Sequence, residues 1–268
     1  MNDGTPRNKA LITGASSGIG AAYADRLAHR GYDLVLVARN RERLDAHAKA
    51  LRQASGARIE TLVADLTTQA DLAQIEARLR ADADLSMRVN NAGVAAPSEL
   101  IDADLDRLVA VIQLNVIAVM RLAAVAATEF VARGRGSIVN IASVLALAPE
   151  RFSGVYSGTK AFVLNLSQSL HREVSGKGVR VQAVLPGATI TEMWDRSGIG
   201  IENIPAAMLM PAGDLVDAAL LGLDAGELVT LPSLPDVGQW RTFEEARLAM
   251  GPNLSRSRPA ERYLAARP

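Results

Sequence analysis

Lys9-Ala-Leu-Ile-Thr13 runs directly into Gly14-Ala-Ser-Ser-Gly-Ile-Gly20, and the reading of this stretch decides the fold. The apolar run reads as a short buried strand. The spacing of Ile19, Tyr23 and Leu27 after the glycines reads as a helix. A glycine turn between strand and helix gathers backbone N–H groups and the positive end of the helix dipole, and a pyrophosphate can sit there. The spacing is G-x-x-x-G-x-G, not G-x-G-x-x-G, and in isolation such a turn could do no more than reverse the chain. Its place inside a first βαβ unit favours the phosphate.

The rest of the chain keeps the same rhythm. Asp33–Ala38, Arg58–Ala64, Leu85–Asn90, Gly136–Ala142 and Val179–Leu185 read as strands. Between them Arg41–Ala54, Thr68–Ala81, Leu105–Ala132 and Gly154–Ser175 read as helices. This alternation predicts an α/β fold with a doubly wound parallel sheet and helices on both faces. Near-continuous apolar strands such as Leu34–Val37 suit a sheet covered on both sides. Arg88 conflicts with the pattern: it sits in the fourth strand, either near an edge of burial or paired with a carboxylate. Ile190–Pro211 is irregular, with scattered apolar side chains (Met193, Trp194, Ile199, Ile201, Ile204, Met208, Leu209, Met210), and is expected to close over a site. After Gly251, four arginines and three prolines suggest a surface arm over residues 251–268. One domain over residues 1–268 is expected, because compact α/β domains reach this length.

Composition excludes several classes. The 29 basic and 29 acidic residues cancel, so there is no electrostatic footprint for nucleic acid or an anionic membrane. The chain has no cysteine, hence no disulfide, thiol nucleophile or Cys-ligated metal. The charge-free apolar-rich stretch Leu108–Met120 contains Gln113 and Asn115 and is short for a bilayer. Met1–Ala10 lacks the apolar centre of a signal peptide. A cytoplasmic protein without metal, membrane or nucleic-acid partner is expected.

Tyr156 and Lys160 are four residues apart and share one helix face. With four tyrosines and four lysines in 268 residues, about 0.06 chance Tyr-x-x-x-Lys matches are expected. Ser143 lies thirteen residues before Tyr156, at the end of a predicted strand, where open α/β sheets hold their ligands. Reducing a carbonyl requires a proton donor at the nascent alkoxide, and the reverse reaction requires the same group as a base. A tyrosine titrates near 10, and an adjacent ammonium is expected to lower it by up to about three units. His29, His47 and His171 fall on separate helices in no ligand or triad spacing and read as surface or satisfied structural residues.

These motifs, taken in order, resemble the short-chain dehydrogenase/reductase family. They are Thr13-Gly-Ala-Ser-Ser-Gly-Ile-Gly20, Asn90-Asn-Ala-Gly93, Asn115, Ser143, Tyr156-Ser-Gly-Thr-Lys160 and Pro186-Gly187, spanning roughly Lys9 to Thr191. The resemblance implies a sheet of about seven parallel strands in the order 3-2-1-4-5-6-7, a nicotinamide dinucleotide, and a carbonyl or alcohol substrate. By it Tyr156 is the general acid/base, Lys160 lowers its pKa and binds the ribose, Ser143 holds the substrate oxygen, and Asn115 helps hold a relay water. Read without the family, Asn115 is a polar residue on a helix face. Gly14, Ser16, Ser17, Gly18, Ile19 and Gly20 would take the phosphates, and Asp65 and Leu66 the adenine. Asn91, Ala92 and Gly93 would lie on the adenosine side, and Pro186, Gly187, Thr189 and Thr191 by the nicotinamide. Leu145, Met193 and Trp194 are expected at the substrate, an apolar small to medium molecule, although the apolar stretch could equally pack a subunit contact. Homodimers or homotetramers through the two longest helices are implied, with Val119 and Leu164 at the seam.

Cofactor choice follows from the second strand, which ends Val37-Ala38-Arg39-Asn40. Alanine stands where the resemblance would put an NAD-selecting aspartate. Arg39 follows, with Arg43 one turn on, and both can meet a 2′-phosphate. The expectation is NADP(H). A catalytically silent dinucleotide-binding regulatory protein is the alternative, and the intact Ser143, Tyr156 and Lys160 argue against it. A nucleic-acid-binding domain of the same fold would need a basic face that the balanced charge does not supply.

Overall fold

The computed structural model describes residues 8–95, 100–101, 103–194 and 200–264. The chain forms two compact units, Met1–Pro232 and Ser233–Pro268. The second takes in the expected C-terminal arm and begins well before it.

In the first unit, strands β1 (Lys9–Thr13), β2 (Asp33–Ala38), β3 (Ile59–Val63), β4 (Leu85–Asn90), β5 (Gly136–Ile141) and β6 (Val179–Val184) fall where the apolar runs predict. Two-residue strands β7 (Thr189–Ile190) and β8 (Met210–Pro211) pair only with each other. A two-residue β9 (Val229–Thr230) closes the main sheet, whose order is β3-β2-β1-β4-β5-β6-β9. All its pairings are parallel. The expected order is observed, with β9 in the seventh place.

Helices α1 (Gly18–His29), α2 (Arg41–Ser55), α3 (Gln69–Ala81), α4 (Leu105–Ile112), α5 (Val119–Ala132) and α6 (Gly154–Val174) cross between the strands, and a further helix spans Ala212–Asp224. Their starts are set locally. Asn40 Oδ1 accepts from Arg43 N at 2.9 Å, and Thr68 Oγ1 accepts from Asp71 N at 3.2 Å. Gly56 ends α2 with φ of 67°, a conformation suited to glycine.

Successive strand residues point to opposite faces, which divides the core in two. Ile12, Leu34, Leu36, Val89 and Val139 pack under Tyr23, Leu27, Leu44, Leu215 and Leu220. Leu11, Val35, Val37 and Ile138 pack under Leu72, Ile75, Leu122, Phe130 and Leu170. Arg88 belongs to neither expected situation. It is fully buried, and its bonds go to Leu11 O (3.2 Å) and Thr13 Oγ1 (3.4 Å), with no carboxylate partner among the described residues.

The segment Leu105–Ala132 is helical throughout but is interrupted by a π-helical turn over Gln113–Ala118. By length and composition this helix is long and apolar enough to cross a membrane, a correction to the shorter span counted from the sequence. A core helix meets the same test, and Leu122, Ala123, Ala126 and Phe130 are buried under the sheet. Val119 and Leu164, expected at a subunit seam, are already buried within the chain at 7% and 6% exposure. His47 and His171, expected as surface or satisfied structural residues, are both partly exposed, and one ring nitrogen of each, His47 Nε2 and His171 Nδ1, is buried without a partner.

The second unit carries a helix over Val237–Ala249, capped by Asp236 Oδ1, which accepts from Gly238 N at 2.8 Å. Trp240 and Phe243 stack on it with centroids 5.5 Å apart, and none of its residues is buried.

Candidate active site

The C-terminal ends of the central strands open into a cleft of about 1340 Å³. Parallel α/β sheets present loops and helix N-termini at this end, so the position follows from the topology. All the expected cofactor, substrate and catalytic residues line it except Gly20 and Asn115.

The glycine turn is shaped for close approach. Gly14 and Gly18 have φ of 66° and 55°, in the region that side chains avoid. A Cβ on Gly20 would lie 2.3 Å from Gly14 O, and one on Gly14 would lie 2.7 Å from Asn91 Nδ2. Gly20 therefore serves the packing of the turn rather than the cleft wall. Asn91 Nδ2 donates to Thr13 O at 2.9 Å and Gly14 O at 3.2 Å, fastening the turn to the end of β4. Ser17, the N-cap of α1, makes no side-chain cap bond. The first N–H groups of α1 are thus available to an anion.

At the end of β2, Arg39 is 58% exposed and lies 3.8 Å from Asp65. Arg43 ion-pairs with Glu192, which follows β7 and also lines the cleft. Glu192 carries no motif and was not found from the sequence. Asp65 Oδ1 accepts from Thr67 N at 3.0 Å and from Thr67 Oγ1 at 2.7 Å.

On the other side of the cleft, Ser143 starts a short turn after β5, and its Oγ accepts from Leu145 N at 3.1 Å. Tyr156 and Lys160 are both buried, one turn apart on α6. Burial pushes the Tyr156 phenol up to about 12, while a hydrogen bond with Ser143 pulls it down. Burial brings the Lys160 ammonium down to about 8. Lys160 Nζ donates to Ile141 O at 3.0 Å and lies 5.6 Å from the Tyr156 ring centroid. The direction is opposite to the lowering expected from the sequence: loss of water around the phenol outweighs the hydrogen bond with Ser143.

Asn115 sits in the π turn, buried, with its side chain clamped to Val94. Oδ1 accepts from Val94 N at 3.0 Å, and Nδ2 donates to Val94 O at 2.9 Å and Thr159 Oγ1 at 3.2 Å. Its amide braces the loop after β4 and does not face the cleft.

Apolar side chains close the site. Leu145, Met193 and Trp194 line it as expected, together with Phe152, Ile204 and Met208. Trp194 Nε1 donates to Thr189 O at 2.7 Å, and Phe152 meets the Tyr156 ring edge-on at 5.5 Å. Residues 195–199, within the expected lid and including Ile199, lie outside the described residues.

A doubly wound sheet in this order, with a glycine turn under an uncapped helix and a Ser–Tyr–Lys group facing it, defines a dinucleotide-binding fold of the Rossmann type. The family described as short chain dehydrogenase matches residues 8–200, and the chain belongs to that family. A short-chain dehydrogenase from Sphingobium yanoikuyae, solved in complex with NADPH, is 49% identical. It aligns over 95% of this chain and 98% of its own, with a TM-score of 0.92. A bulky-bulky ketone specific alcohol dehydrogenase from Comamonas testosteroni is 44% identical over 97% of this chain and all of its own, with a TM-score of 0.89. The very-long-chain 3-oxoacyl-CoA reductase of Bos taurus is 34% identical over 198 residues. That match covers 70% of this chain and 63% of the relative, so the chain spans less than two thirds of that relative's length.

Proposed function

We propose that this protein is an NADP(H)-dependent oxidoreductase that interconverts a ketone or aldehyde and the corresponding alcohol. The observation that carries the reading is the juxtaposition in one cleft of Ser143, Tyr156 and Lys160 with the glycine turn.

The residues present fit the cofactor. Gly14, Gly18 and the first turn of α1 would take the pyrophosphate, Arg39 the 2′-phosphate, and Lys160 the nicotinamide ribose. The bound nicotinamide supplies a hydride for reduction and accepts one in the reverse direction. Tyr156 gives its phenolic proton to the carbonyl oxygen, so C=O becomes CH–OH, and takes it back in oxidation. Ser143 Oγ donates to the same oxygen and fixes its position. With the phenol held near 12, Tyr156 is protonated at neutral pH, the state that reduction needs.

Two features support NADP(H) over NAD(H). Ala38 presents no carboxylate to repel a phosphate, and the Arg39 guanidinium is exposed beside it. The cleft also supports a substrate class. A lining that includes Leu145, Phe152, Met193, Trp194, Ile204 and Met208 suits a ketone with sizeable apolar groups. Similarity to the Comamonas testosteroni enzyme supports the same class. A homodimer or homotetramer belongs to this reading. With Val119 and Leu164 buried, its seam would use the exposed Val109, Ile112 and Met120 of α4 and α5.

The test is a panel of ketones, aldehydes, quinones and diketones offered with NADPH and with NADH, following nicotinamide absorbance. Turnover of bulky apolar ketones with NADPH is expected. Absence of turnover with every carbonyl in both cofactors would overturn the reading.

A further inference from the structure

Arg88 lies in the middle of β4 with none of its side chain exposed. In the strand register it stands between Leu11 and Ile138, on a sheet face that carries Leu11, Val35, Val37 and Ile138 and, toward its C-terminal end, the buried polar Thr13, Asn90 and Asn140. A cation in such a place is costly unless an opposite charge is near. Here Nη1 donates to Leu11 O and Nη2 to Thr13 Oγ1, while Nε has no partner and no carboxylate pairs with it among the described residues. Burial brings the guanidinium down to about 9, so it stays charged at neutral pH.

The charge is aimed at the cofactor end of the sheet. Thr13 is the last residue of β1, and Gly14 opens the glycine turn. The Thr13 Oγ1 that receives the Arg88 bond also accepts from Asn91 N at 3.1 Å and Ala92 N at 3.2 Å. Asn91 and Ala92 line the cleft. Thr13, next in the chain to Gly14, is therefore the single hydrogen-bonded residue between the buried cation and the floor of the cleft.

We propose that Arg88 is an internal counter-charge for the pyrophosphate of the bound dinucleotide, placed beneath the glycine turn and uncompensated by the protein's own described acids. It touches neither cofactor nor substrate. It acts through the low-dielectric sheet and through Thr13, and so is a positioning residue. The proposal rests on the reading that the cleft takes a dinucleotide, but not on which one, because the pyrophosphate is common to both.

This arrangement gives stability and affinity opposite signs. Replacing an unpaired buried cation by an isosteric apolar group relieves the native protein of a desolvation cost. It also removes attraction for the anion. The experiment compares Arg88→Met, Arg88→Gln and Arg88→Lys with wild type, measuring Kd for NADPH and NADH by calorimetry and Tm by thermal unfolding. A unit charge about 10 Å away, at an effective dielectric near 20 and screened by salt, corresponds to roughly three- to tenfold in Kd. The expected result is that Met and Gln weaken both dinucleotides by the same factor, with Tm for Met unchanged or raised, while Lys stays within about twofold of wild type. Wild-type affinity in both Gln and Met, which lose the charge while differing in polarity, would overturn the proposal. So would a Met variant that loses Tm and affinity together while Gln loses neither, or three variants that fail to fold. Failure of wild type to bind either dinucleotide would overturn the underlying reading of the cleft instead.

Discussion

Arg43 on α2 and Glu192 after β7, 149 residues apart in the chain, are joined by an ion pair at the edge of the cofactor cleft. Both are about half exposed. The carboxylate holds an arginine that the proposed NADP(H) binding would draw to a 2′-phosphate, and the two anions would then compete for one guanidinium. Thr191, beside Glu192, packs over the glycine turn, where a Cβ on Gly18 would lie 3.0 Å from its methyl carbon. The segment after β7 thus answers to the phosphate end of the cleft as well as to the substrate end.

Glu192→Gln should strengthen NADPH binding and leave NADH nearly unchanged. An exposed ion pair contributes about 0.2–1 kcal/mol, so the gain should be roughly 1.4- to fivefold in Kd. Fluorescence titration with both cofactors measures it. An equal gain for NADH would show that Glu192 opposes the pyrophosphate rather than the 2′-phosphate.

Wild type should prefer NADPH to NADH, and Ala38→Asp combined with Arg39→Ala should reverse that order. Loss of one charge-assisted contact costs about 1.5–3 kcal/mol, or roughly ten- to a hundredfold in NADPH affinity for Arg39→Ala alone. The measurement is kcat/KM for both cofactors in both proteins with one ketone. A wild type that uses NADH equally well would defeat the assignment of Arg39.

The pH profile separates the roles of Tyr156 and Lys160. The phenol, pushed up to about 12, remains an acid throughout the working range. The ammonium, brought down to about 8, is lost as pH rises through that value. For reduction, kcat/KM for NADPH should therefore hold through neutral pH and fall above about pH 8, since this parameter reports groups of the free enzyme. A profile flat to pH 10 would remove the Lys160 charge from the reaction.

Trp194 tests the expectation that residues 190–211 form a lid. Its indole nitrogen is bonded to Thr189 O, and the residue lines the cleft, so NADPH with substrate should change its fluorescence. Trp194→Phe should abolish the ligand-dependent signal. If the signal persists in full, Trp240 is the source and the lid assignment fails.

The first six strands were legible as short apolar runs between turn signals, and the long helices because their apolar residues follow one period over many positions. The two-residue β9 was not, since two residues have no period, and its place in the sheet is set by its pairing with Ala183 and Val184. The glycine turn and the Tyr156–Lys160 face were legible because each needs fixed residue types at fixed spacing. Glu192 was invisible for the opposite reason: its partner is set by the path of the chain after β7. The direction of the Tyr156 shift was also out of reach, because spacing gives the nearness of Lys160 but not the loss of water around the phenol. Arg88 was visible as a conflict, while its partners came only with the register of β1 and β4.

The central claim is that Tyr156 moves the proton in a redox reaction for which the rest of the cleft binds the cofactor. Tyr156→Phe keeps the ring, its edge-on contact with Phe152 and the fold of α6, and removes only the hydroxyl. NADPH Kd and steady-state turnover of one bulky ketone should be measured on the same preparation. The account predicts cofactor affinity within about twofold of wild type and a fall in kcat of at least about a hundredfold, the scale of general acid catalysis. Equal NADPH consumption by wild type and Tyr156→Phe would contradict it.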